Sequence, residues 1–105
     1  MSENYLQKAW GDSIENVSIN DIKEAINETL KMDDEHGAFW VSIIKQNENV
    51  LEMSKNLMII GVFEDEEATQ YKGVFKNIDE IIMIYEVFLN ENFSEVKEIL
   101  RKNKI

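Results

Sequence analysis

The sequence predicts an α+β fold: an antiparallel four-stranded meander preceded by one helix and followed by two. Three observations predict it. Apolar residues recur at helical spacing from Ile19 and again from Phe93, an apolar run long enough for a core helix spans Ile81 to Leu89, and a stretch rich in β-branched and aromatic residues lies before it, from Ala38 to Phe75. That stretch is cut by short polar breaks, and connections so short force neighbouring strands to run antiparallel, because parallel neighbours need a crossover of about a dozen residues or more.

The first dozen residues carry Tyr5, Leu6 and Trp10 among polar neighbours with neither period, so 1–12 reads as an irregular arm or a short edge strand whose aromatic side chains tuck against the body. The first helix is predicted over Asn20 to Met32. Ile22, Ala25, Ile26, Thr29 and Leu30 form its apolar face, Ser18 and Asn20 are both suitable N-caps, and Asp21 and Glu24 suit the positive end of its dipole. Asp33-Asp34-Glu35-His36-Gly37 then breaks the period with turn formers.

Four strands are expected within Ala38 to Lys76. Ala38 to Ile44 and Val50 to Met53 form a hairpin across Gln46-Asn47-Glu48-Asn49. Leu57 to Phe63 is the most continuously apolar segment, as suits an inner strand covered on both faces, or on one face with a partner near the other. The run Glu64-Asp65-Glu66-Glu67 must be solvated, which places it in a loop before a strand around Tyr71 to Phe75. Asn77 and Glu80 have the spacing of a capping box and open a helix over Ile78 to Leu89. The last helix, Ser94 to Lys102, presents Val96, Ile99 and Leu100 on one side and ends on Arg101 and Lys102, where the dipole favours cations.

At 105 residues the chain has the length of one domain, and 44% apolar with 30% charged residues is a globular balance. No apolar run approaches the roughly 18 residues of a membrane span. The opening residues lack a secretory pattern and there is no cysteine, so a cytoplasmic location is expected. Twenty-one acidic against eleven basic residues give a net charge of -10, which repels nucleic acid and anionic membranes and attracts a basic partner, while also serving plain solubility.

Chemistry-bearing motifs are sparse. His36 is the single histidine and has no nucleophile motif near it, so it reads as a turn residue. There is no His-Glu-x-x-His, and Asp33-Asp34-Glu35 lacks the alternating spacing of an EF-hand loop. Gly11, Gly37, Gly61 and Gly73 stand alone and make no phosphate cradle. No catalytic residue, metal or cofactor is therefore assigned. Phe39, Trp40, Phe63, Tyr71 and Phe75 read first as core. Strand alternation, however, turns Trp40 away from Phe39, Val41 and Ile43, so one of these sets can face a partner. Candidate partner-binding residues are Trp40 and the two acidic clusters: Asp33, Asp34 and Glu35, and Glu64, Asp65, Glu66 and Glu67.

Trp10, the helix Asp21-Ile22-Lys23-Glu24-Ala25-Ile26, the strand Gly37-Ala38-Phe39-Trp40-Val41, the hairpin strand Val50-Leu51-Glu52-Met53 and the closing helices together resemble the small immunity proteins of bacterial polymorphic toxin and contact-dependent growth inhibition systems. The resemblance implies a non-catalytic cytoplasmic antidote that binds a cognate toxin domain, often a nuclease with a basic cleft, and occludes its active site. Two other readings stay open from the residues alone: a regulatory interaction module, homodimeric through a sheet face or edge, and a small-ligand binder or enzyme whose pocket is assembled from distant residues.

Overall fold

The architecture is α+β, with a six-stranded antiparallel sheet and three helices, in a computed structural model that describes residues 3–9, 11, 13–32, 37–44, 48–63 and 70–103. The strands are β1 (Glu3–Lys8), β2 (Ser13–Glu15), β3 (Ala38–Ile44), β4 (Glu48–Ser54), β5 (Met58–Phe63) and β6 (Gln70–Val74). The helices are α1 (Ile19–Lys31), α2 (Ile78–Leu89) and α3 (Phe93–Lys102). Strand order across the sheet is β2-β1-β3-β4-β5-β6, so the predicted meander β3 to β6 is present and is extended by two strands on its β3 side.

That extension corrects the sequence reading of four strands with an irregular arm or short edge strand over 1–12. β1 is inside the sheet, bonded to β2 on one side and to β3 on the other, with Leu6 opposite Val41. Its alternation is hidden in the sequence because Lys8 takes a core-facing position: it is only 7% exposed, and its Nζ donates to both Glu28 carboxylate oxygens at 3.0 and 3.2 Å. A cation paired in this way does the work of an apolar residue. β2, three residues long, is too short to show a period. The Asn4 side chain accepts a hydrogen bond from the Val17 amide at 2.8 Å and ties β1 to the entrance of α1.

The first two helices begin at side-chain caps. Ser18 closes a full capping box with Asp21, its hydroxyl accepting from the Asp21 amide and the Asp21 carboxylate accepting from the Ser18 amide. Asn77 accepts from the Glu80 amide at 3.0 Å, and the Glu80 carboxylate accepts from the Lys76 amide, one residue beyond the expected box. Leu57, expected in a strand, has φ of 65°, so the turn extends through it and β5 opens at Met58.

All three helices contribute to the core on one face of the sheet. Leu6, Phe39, Val41, Ile43, Leu51, Met53, Ile59 and Phe63 meet Ile22 and Ile26 of α1, Ile84, Tyr85 and Phe88 of α2, and Val96 and Leu100 of α3 in one buried cluster. Tyr85 stacks on Phe39 with ring centroids 5.5 Å apart, and its hydroxyl donates to the Leu51 carbonyl at 2.9 Å. Gly61 admits Leu100, for a Cβ there would lie 2.8 Å from both Leu100 Cδ1 and Phe63 Cε2. Among the described residues no helix is long and apolar enough to cross a membrane.

Candidate interaction surface

The strands place every second residue on the face opposite the helices, and the register shows what that face carries. One row across the sheet reads Ser13, Gln7, Trp40, Glu52, Ile60, Lys72, and the row beside it reads Glu15, Tyr5, Ser42, Val50, Val62, Gln70. Ile44 and Glu48 lie at one end of this face, Met58 and Val74 at the other. Tyr5, Trp40, Val50, Met58 and Ile60 are half-buried by their neighbours, and Ser42 is fully covered between Tyr5 and Val50.

This face mixes polar side chains with large apolar ones that no described helix covers. Among the described residues four large apolar side chains are exposed, and three of them, Ile44 (37%), Val62 (36%) and Val74 (45%), are on it; the fourth, Met83, is on α2. Solvated faces of antiparallel sheets ordinarily alternate to polar residues, and this face departs from that pattern at these three positions.

Glu52 stands in the middle of the apolar patch. Trp40 is its direct partner on β3 and Ile60 its direct partner on β5. Their bulk takes water from the carboxyl group, and this desolvation raises its pKa above the usual glutamate value. No hydrogen bond or ion pair joins Glu52 to any described residue. On the other side of the sheet, burial pushes the Tyr85 phenol well above its ordinary range, with the charge of Glu52 a smaller contribution in the same direction. The described charged groups of the open face are three carboxylates, Glu15, Glu48 and Glu52, and one ammonium, Lys72.

Of the residues singled out from sequence, Trp40 is on this face, turned away from Phe39, Val41 and Ile43, which are buried in the core as expected. Phe63 and Phe75 are buried and Tyr71 is half-buried on the helix side, against Phe63. Asp33, Asp34, Glu35 and His36, and likewise Glu64, Asp65, Glu66 and Glu67, lie outside the described residues. The sequence reading did not select Tyr5, Val50, Glu52, Ile60 or Val62. The signal for Glu52 was present, as an acid at an inner position of an otherwise apolar strand.

A cleft of about 460 Å³ lies between the end of α1, the β4–β5 turn and the start of α2. Leu30, Leu57 and Ile78 line it with Lys55, Lys76 and Asp79, and the Lys55 ammonium donates to the Met32 carbonyl at 2.6 Å. Among the described residues no three acids or histidines converge in the manner of a metal site. Compared with known protein families, curated proteins and solved structures, the chain matches none.

Proposed function

We propose that this chain is an acidic immunity-type protein, which binds a cognate toxin domain through the open face of its sheet and neutralises it by occluding its active site. The observation that carries the reading is the uncovered sheet face on which Trp40 lies with Val50, Ile60 and Val62, since a half-buried tryptophan on an otherwise uncovered face is the kind of residue that anchors a protein interface. The net charge of -10 favours a basic partner, and a nuclease domain with a basic cleft has the complementary field.

A homodimer through the same face is the second reading, favoured by the exposure of Ile44, Val62 and Val74. It would bring Glu15, Glu48 and Glu52 of each copy towards those of the other, against one Lys72 apiece, and like charges juxtaposed in an interface are costly. A heterologous basic partner avoids that cost, so the first reading ranks above the second.

The test is binding kinetics against a candidate toxin domain, at several salt concentrations, with sedimentation of the free protein alongside. Trp40→Ala is expected to speed dissociation by about 30-fold, the scale of an interface hot spot. Converting Glu64, Asp65, Glu66 and Glu67 to amides is expected to slow association and flatten its salt dependence. Equal kinetics for wild type and Trp40→Ala would overturn the assignment of the interface, and a stable dimer of the free protein that Trp40→Ala dissolves would favour the second reading.

A further inference from the structure

We propose that Trp40 and Glu52 form a receiving site for an arginine side chain of the partner, at the centre of the open sheet face. The inference rests on reading that face as the docking surface and specifies what enters it. Trp40 and Glu52 are directly opposite each other on β3 and β4, a relation that sets their Cβ atoms about 4.5–5.5 Å apart on the same face. Side chains in that relation stand side by side off the sheet and offer an indole surface next to a carboxylate. Gln7 flanks the indole on β1 and Ile60 flanks the carboxylate on β5, so the pair lies inside the row.

The carboxylate is open. It has no hydrogen bond or ion pair to a described residue, and Lys72, the described cation of this face, is two strands away, about 10 Å at ordinary strand spacing. A negative charge held among apolar side chains is poorly hydrated, and a cation brought to it restores what the missing water withheld. The indole selects the kind of cation. A guanidinium is planar, is weakly hydrated, stacks on aromatic surfaces and still presents an N–H edge for a carboxylate, whereas an ammonium is a compact and strongly hydrated point charge. Glu15 and Glu48 at the margins add attraction without competing for the same position.

The probe is the peptide acetyl-Gly-Arg-Gly-amide, titrated into the full chain and followed by amide and indole NMR, with Trp10→Phe assigning the Trp40 indole signal. Saturable shifts centred on Trp40, Glu52 and Ile60 are expected. Glu52→Gln should weaken them about tenfold or more, the scale of a charge-assisted hydrogen bond. Glu48→Gln, at the end of the face, should stay within a few-fold of wild type. The citrulline peptide, of the same shape without charge, should bind as weakly as the Glu52→Gln variant does to arginine. Shifts spread over the acidic surface with the Trp40 indole unmoved, or an unchanged affinity in Glu52→Gln with its dichroism spectrum intact, would overturn the site. Equal binding of the lysine peptide would overturn the choice of guanidinium. Because the probe is not the toxin, arginine binding without toxin binding sinks the immunity reading alone, and toxin binding without arginine binding sinks this site alone.

Discussion

If Glu52 is kept for a partner, it should be a burden to the free protein, and removing it should stabilise the fold. Consider Glu52→Val. Glutamate is a poor strand former and valine a good one, a scale that spans about 1 kcal/mol. The new side chain would be paired with Trp40 on one side and Ile60 on the other, and each apolar cross-strand pair contributes about 0.2–1 kcal/mol. Against this stands the lost packing of the glutamate stem on the indole, so a net gain of about 1 kcal/mol is expected, which for a chain of this length raises Tm by about 4 °C. Glu52→Gln keeps the stem and isolates the charge. Burial lifts the Glu52 pKa above its value of 4.5 in the unfolded chain, so the folded state binds the proton more tightly. Wild type therefore loses stability relative to Glu52→Gln as pH rises through the interval between 4.5 and the folded value. The advantage of the amide should be full at neutral pH and absent below that interval. Glu15, Glu48, Tyr5, Lys72 and, across the sheet, Tyr85 are common to both chains and cancel in the difference to first order. The assay is urea unfolding from about pH 4 to about pH 8 at protein concentrations low enough to exclude association. Loss of stability in both variants at neutral pH would mean that Glu52 has a structural partner, and the reasoning from an open carboxylate would fail.

Three further outcomes test the fold that positions this face. Glu28→Ala removes two acceptor oxygens from the Lys8 ammonium, and because Glu28 is one-third exposed the cost should be near the lower end of about 1.5–3 kcal/mol in denaturant unfolding; Lys8→Met with Glu28→Leu should recover most of it. Gly61→Ala drives a methyl group against Leu100 and Phe63, both buried, and should cost about 1–3 kcal/mol, with Gly61→Ala and Leu100→Ala together costing less than the sum of the two measured alone. Tyr85→Phe deprives the Leu51 carbonyl of a buried donor and should cost about 1–3 kcal/mol by thermal or urea unfolding, while leaving peptide binding on the far face unchanged.

The parts of the fold that could be read from sequence are those in which one periodicity ruled. α2 was expected over Ile78 to Leu89 and spans those residues, because its cap and its apolar run agree. β3 was expected over Ala38 to Ile44 and likewise spans them, directly after Gly37. Where a local rule was overridden by a distant residue, the reading failed. Lys8 looks like a surface position until Glu28, twenty residues on, comes to meet it, and with Lys8 misread the alternation of β1 vanishes. Leu57 has the composition of a strand residue, but the turn it closes requires a positive φ that nothing in its own side chain announces.

The candidate interface was legible to the same degree and for the same reason. Alternation alone separates Trp40 from Phe39 and Val41, and the continuous apolar run ending at Phe63 already suggested a strand with something on both faces. What alternation cannot supply is the register, and the register is what turns five unremarked residues into a surface. Glu52 is twelve residues from Trp40 in the chain and eight from Ile60, yet the two hairpins bring the three into one row. A strand glutamate in isolation is a solvated group. Between an indole and an isoleucine it is a partly dehydrated charge, and that change of environment is the physical basis for expecting a cation there. On the proposed reading the acidity of the whole chain has a definite part: the summed field would draw a basic partner in, and a single carboxylate seated between Trp40 and Ile60 would decide where its arginine goes.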